Sequence, residues 1–128
     1  MNKVVHFEIP AENLDRANEF YRKIFGWQIK DASMDGMPYF IAHTVATDSK
    51  NMPMEAGAIN GGLMKRSKDV TAPVFAIDVE SVDEYTKKIK SAGGKVVMPK
   101  MQVGDMGYYA YVKDTEGNVF GIWETIKR

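Results

Sequence analysis

The chain repeats itself, and the repeat limits what it can fold into. Shifted by 68 residues, HFEIPAENLDRANEFYRKIFG lies over VFAIDVESVDEYTKKIKSAGG, so that Phe7 meets Phe75, Ile9 meets Ile77, Glu12 meets Glu80, Asp15 meets Asp83 and Gly26 meets Gly94. The apolar positions Leu14, Ala17, Tyr21 and Ile24 fall on Val82, Tyr85, Ile89 and Ala92. Both sets recur at i, i+3, i+7 and i+10, one stripe of an α-helix. Identities and period preserved together mark two copies of one supersecondary unit.

Each copy opens with strand alternation and then switches to helical period. Val5, Phe7 and Ile9 alternate with His6 and Glu8, so the first three are expected under the helix and the other two on the opposite face. Phe75, Ile77 and Val79 alternate with Val74, Ala76 and Asp78 in the same phase. The helices are expected to begin after Asn13 and Ser81, both favourable N-caps, with Ser81 and Glu84 spaced as a capping box. They are expected to end at Gly26 and at Gly93-Gly94.

Three short strands follow each helix. The pattern places them near Trp27–Lys30, Tyr39–Val45 and Gly57–Met64, and again near Lys95–Met98, Tyr108–Lys113 and Asn118–Thr125. Residues 46–56 are polar, contain methionine and are interrupted by Pro53, which predicts a surface loop. The modules span residues 1–64 and 72–128, with a polar linker at 65–71. Four strands and one helix leave a sheet face bare, so each copy needs the other to cover it. The expected fold is α+β: two tandem βαβββ modules forming a curved mixed sheet around a cavity, with the helices outside.

This duplication, together with LDRANEFYRKIFGW, INGGLM, GGKVVMPK and GYYAYVKDTEGNVFGIWE, resembles the vicinal oxygen chelate superfamily of glyoxalase I, extradiol dioxygenases and bleomycin-resistance proteins. The resemblance covers nearly the whole chain and is nearest to the metal-poor, glyoxalase-like branch. It implies four metal-ligand positions, which fall here on His6, Asn60, Val74 and Gly121. A divalent metal at a catalytic site takes about three protein donors of imidazole, carboxylate or thiolate type. Valine and glycine have none and Asn60 offers an amide oxygen, so His6 alone matches. No metal or other cofactor is therefore expected. Glu124 lies opposite Gly121 and Trp123 by strand parity and is set aside as a replacement ligand.

The residues with chemistry to offer are few. His6 is read either as a ligand-contacting base or as a cavity-lining histidine bonded to a neighbour. Glu8, two residues along on the same face, is read as a general base or as a carboxylate paired with a buried donor. Trp123, Tyr109 and Tyr111 are candidate pocket walls beside Asn60, Val74 and Gly121, with core packing as the alternative for the tyrosines. His43 shares parity with Tyr39 and Ile41 and is expected near a strand end. Among nine methionines, Met34, Met37, Met52, Met54, Met101 and Met106 fall in expected loops and suit a flexible cover over an apolar ligand.

Seventeen basic residues balance seventeen acidic ones, which argues against nucleic acid or anionic membrane as a partner. No cysteine is present, which removes thiolate chemistry and disulfides. Apolar runs are strand-length rather than the roughly 20 residues of a membrane span, and MNKVVHFEIP meets charge too early for a signal peptide, so a cytoplasmic setting is expected. The functional expectation is a small-molecule-binding protein, working as a homodimer without the metal. The alternative is a metal-dependent lyase, isomerase or dioxygenase of the glyoxalase I type. A purely structural interaction module is the third reading.

Overall fold

A computed structural model of the protein describes residues 1–34 and 36–126. The order β-α-β-β-β occurs twice: β1 Val4–Ala11, α1 Leu14–Phe25, β2 Gln28–Asp31, β3 Tyr39–His43 and β4 Gly61–Lys65, then β5 Val74–Asp78, α2 Val82–Ser91, β6 Lys95–Val103, β7 Gly107–Lys113 and β8 Val119–Thr125. The expected α+β architecture of two βαβββ modules is present. Three caps are those read from sequence, while α2 is capped at Ala92, one residue before the expected Gly93-Gly94. Asn13 accepts from the Arg16 amide, Ser81 accepts from the Glu84 amide, and α1 stops at Gly26 in the left-handed region.

The chain forms two units, His6–Pro73 and Met1–Val5 with Val74–Arg128. The division departs from the expected boundary at its start, because the first residues bond to the second module. The Asp78 amide donates to the Lys3 carbonyl at 2.8 Å, and the Asn2 side chain donates to the Asp78 carbonyl at 2.9 Å. Within the expected linker, Lys65 closes β4 and Val70 is buried.

In the His6–Pro73 unit the strands run β2-β3-β4-β1, with β1 and β4 parallel and the other pairs antiparallel. Ala42 and Leu63 are its fully buried apolar residues on the face that α1 covers. That cover is thin: no residue of α1 is buried, and Ile24, expected on the packing stripe, is 59% exposed with Phe20 and Phe25 also exposed. Tyr21 and Trp27 stack at 5.0 Å and extend this aromatic surface.

In the other unit the order is β5-β8-β7-β6. Val79, Val82, Ala110, Val112 and Ile122 form its core, with Tyr85 and Ile89 of α2 packed against them. Phe75 was expected beneath the helix but is exposed and stacks on Phe120 at 5.6 Å. β6 runs beyond the expected Met98 and takes Met101 out of the expected loop set. It passes Pro99 because it is the terminal strand, where a missing ladder donor is tolerated, and its register shifts between Val96 and Met98 and again across the proline, between Met98 and Met101. Among the described residues no helix is long and apolar enough to cross a membrane.

Candidate functional site

In a sheet, residues paired across strands share a face, so register determines which candidates meet. In the first unit Glu8 pairs with Gly62, and Gly62 pairs with Ile41; Pro10 pairs with Met64, and Met64 with Tyr39. His6 precedes Glu8 by two residues and shares this face, away from α1, as alternation required.

Tyr39 organises the face. Its ring leans back along the sheet by two residues, so that a Cβ on Gly62 would run into the phenol hydroxyl. Gly62 leaves open the space through which Tyr39 reaches over β4, and the hydroxyl arrives 2.9 Å from Nε2 of His6 on β1. Burial holds the His6 pKa down at about 4, below the ordinary 6.5, so the imidazole is neutral at physiological pH. Glu8, 6% exposed, is the buried charged residue of the same face. The geometry thus joins a neutral imidazole to a phenol on a face that also carries a carboxyl group and apolar Pro10, Ile41 and Met64.

Asn60 is occupied elsewhere. Its side-chain oxygen accepts from the amides of Thr44 at 2.8 Å and Val45 at 3.2 Å and from the Thr44 hydroxyl, so it clamps the end of β3. The register also shows that Asn60 is not the internal equivalent of Gly121. Glu8 pairs with Gly62, and the counterpart of Glu8 under the 68-residue shift, Ala76, pairs with Gly121. Gly62 therefore holds the position assigned from sequence to Asn60. β4 starts at Gly61 rather than Gly57, which accounts for the slip.

The second unit repeats the construction without its chemistry. A Cβ on Gly121 would run into the Tyr109 hydroxyl, so Tyr109 crosses β8 as Tyr39 crosses β4. Where the first unit has His6 and Glu8, this one has Val74 and Ala76, both buried. Tyr109 and Tyr111 are 6% and 5% exposed, with ring centroids 4.9 Å apart. Trp123 lies 6.3 Å from Tyr109 and donates its indole N–H to Thr125 at 3.0 Å. Glu124, on the opposite face as expected, accepts from the Val82 amide at 2.8 Å and caps α2. His43 ends β3, half-buried.

The four ligand positions that the resemblance implies are poor in donors here. With Gly62 in place of Asn60, the four positions hold one imidazole, two glycines and a valine, and both glycines are overlain by phenols. Among the described residues no three His, Asp or Glu side chains converge as a metal-binding group. An open cleft of about 420 Å³, lined in part by Ile9, Arg16, Phe20, Tyr21 and Arg66, lies beside α1 and includes none of the candidate residues. Tyr39 and Gly62, the pair that orients His6, were not singled out from sequence. The signal available was the matching Tyr109–Gly121 pair, but the intervening loops differ in length and hide the correspondence.

Comparison with known proteins agrees with this architecture. The family model described as Glyoxalase/Bleomycin resistance protein/Dioxygenase superfamily matches residues 3–122. CFP32 of Mycobacterium tuberculosis is 29% identical over 91% of this chain and 43% of its own length. The anthracycline biosynthesis protein DnrV of Streptomyces peucetius is 26% identical over 91% of this chain and 45% of its own. The chain thus spans less than half the length of these two relatives. A Streptomyces coelicolor methylmalonyl-CoA epimerase structure superposes with a TM-score of 0.70 at 18% identity, covering 99% of both chains. At that identity the likeness is one of fold.

Proposed function

This chain belongs to the glyoxalase/bleomycin resistance protein/dioxygenase superfamily, and from that premise we propose that it binds a small, largely apolar molecule without a divalent metal. The binding surface is the sheet face of the first unit that carries His6, Glu8 and Tyr39. One observation carries this reading: the single donor left at the family's ligand positions, His6, has its Nε2 bonded to Tyr39 rather than placed among other donors. A relative named for anthracycline biosynthesis supports a small organic molecule as the kind of ligand held.

The rival reading, a metal-dependent lyase, isomerase or dioxygenase of the glyoxalase I type, would need donors from outside the four positions. The test is a thermal-shift screen of apolar aromatic compounds against protein held in chelator, because a ligand that binds only the folded state raises its melting temperature. Stabilisation that persists in chelator and weakens in His6→Ala supports the proposal. Stabilisation that appears only when metal is restored contradicts it.

We also propose that two copies pair, covering the exposed face of Phe20, Ile24 and Phe25 on α1. Sedimentation should give a dimer mass that falls to the monomer in Phe20→Ser/Phe25→Ser. A wild-type monomer mass independent of concentration contradicts pairing.

A further inference from the structure

We propose that the cleft beside α1 is a second binding site, taking a small carboxylate with an apolar body through Arg16 and Arg66. It is lined by none of His6, Glu8 and Tyr39 and is independent of the ligand proposed above.

The two units serve as an internal comparison. Under the 68-residue shift Ala17, which lines the cleft, corresponds to Tyr85. Tyr85 packs on the core of its unit, and its hydroxyl donates to the Asn2 side chain at 3.3 Å. At this position α2 places a ring on its sheet, whereas α1 places a methyl beside an opening of about 420 Å³. That volume suits a small organic molecule.

The two arginines are also particular to the first unit. Arg16 corresponds to Glu84. A carboxylate suits the first turn of a helix, and a guanidinium there opposes the helix dipole. Arg16 nevertheless has no ion-pair partner among the described residues. The stability of α1 therefore gives no reason for an arginine at this position. Because Gly62 and Gly121 correspond, Arg66 answers to Thr125, which carries no charge. Arg66 holds Glu12 at 3.1 Å through one nitrogen and keeps further N–H groups for a second carboxylate.

A guanidinium receives a carboxylate in paired hydrogen bonds. The side-chain oxygen of Asn13 accepts from the Arg16 amide, which leaves its NH₂ group as a further donor at the cleft. The walls beside these groups are Ile9, Pro10 and Ala11 of β1 and the ring of Tyr21. Cationic donors against apolar walls select an anion carried on an apolar, flat body.

The probes are 2-naphthoate and 2-naphthamide, which share a shape and differ in charge. NMR titration of the wild-type protein at low salt should find naphthoate bound on the order of tenfold more tightly. The largest shifts should fall on the amides of Ala11, Ala17 and Arg66, and the preference should shrink as salt is added. Arg16→Gln should remove most of the preference, and Glu12→Gln, which frees Arg66, should tighten naphthoate alone. Ala17→Tyr, which copies the second unit, should weaken both probes. Equal affinity of wild type for the two probes, or shifts centred on His6 and Tyr39, overturns the cleft site and leaves the ligand proposed above standing. A preference that survives in Arg16→Gln/Arg66→Gln does the same. Binding of neither probe also overturns the cleft site.

Discussion

His6 on β1 and Tyr39 on β3 meet at 2.9 Å across the strand that separates them, and they do so because Gly62 on that strand has no side chain. Neighbouring strands lie about 4.8 Å apart, so a two-strand gap is closed by the length of a tyrosine only if nothing stands between. His6, Tyr39 and Gly62 thus depend on one another for their placement on this face.

Gly62→Ala should therefore destabilise the protein by about 1–3 kcal/mol, the cost of forcing a methyl into an occupied site. In a Tyr39→Ala background the same change should cost much less, because the ring it strikes is gone. Urea denaturation of the four proteins of this cycle measures the coupling. Additive effects would show that Tyr39 does not lie over Gly62 in solution.

Stability should depend on pH through His6. The folded protein keeps this imidazole neutral down to about pH 4, whereas the unfolded chain takes up the proton near 6.5. Between those values the unfolded state binds more protons, so stability is complete above about 6.5 and falls as pH is lowered toward 4. The slope in the window should be up to about 1.4 kcal/mol per pH unit. Denaturation curves at pH 7 and 4.5, compared with those of His6→Gln, isolate the contribution. An unchanged difference in the variant would contradict it.

Glu124 should behave as a helix cap. Glu124→Ala removes the acceptor for the Val82 amide and should cost about 1 kcal/mol. Glu124→Gln, which keeps an oxygen there, should recover part of that loss. Both follow from thermal melts, and a full loss in the glutamine variant would point to charge rather than to the hydrogen bond.

Asn60→Ala should cost about 1–3 kcal/mol, because the amides of Thr44 and Val45 lose their shared acceptor. Amide exchange should quicken at those two residues first. Unchanged protection there would contradict the clamp.

The repeat made the fold legible because it supplied two readings of one pattern. Strand phase, the caps at Asn13 and Ser81 and the stop at Gly26 depend on neighbours in sequence and were all readable. What depended on long-range register was not. Taking β4 from Gly57 rather than Gly61 moved the ligand position from Gly62 to Asn60, a slip of two residues that keeps parity and so raises no alarm. The Tyr39–Gly62 contact was invisible for the same reason, since the loop between β3 and β4 has no counterpart of equal length before Gly121. Ile24 and Phe75 matched the apolar pattern yet lie exposed, because periodicity records which side a residue takes and not whether anything covers it.

We propose that His6 serves a hydrogen-bonded phenol instead of a metal. Calorimetric titration of chelator-stripped protein with Zn, Ni, Mn and Fe(II) tests it most directly, accompanied by elemental analysis of protein purified without chelator. No stoichiometric metal is expected in the purified protein, and no one-to-one binding in the titrations. One equivalent of tightly held metal, lost in His6→Ala, would contradict it.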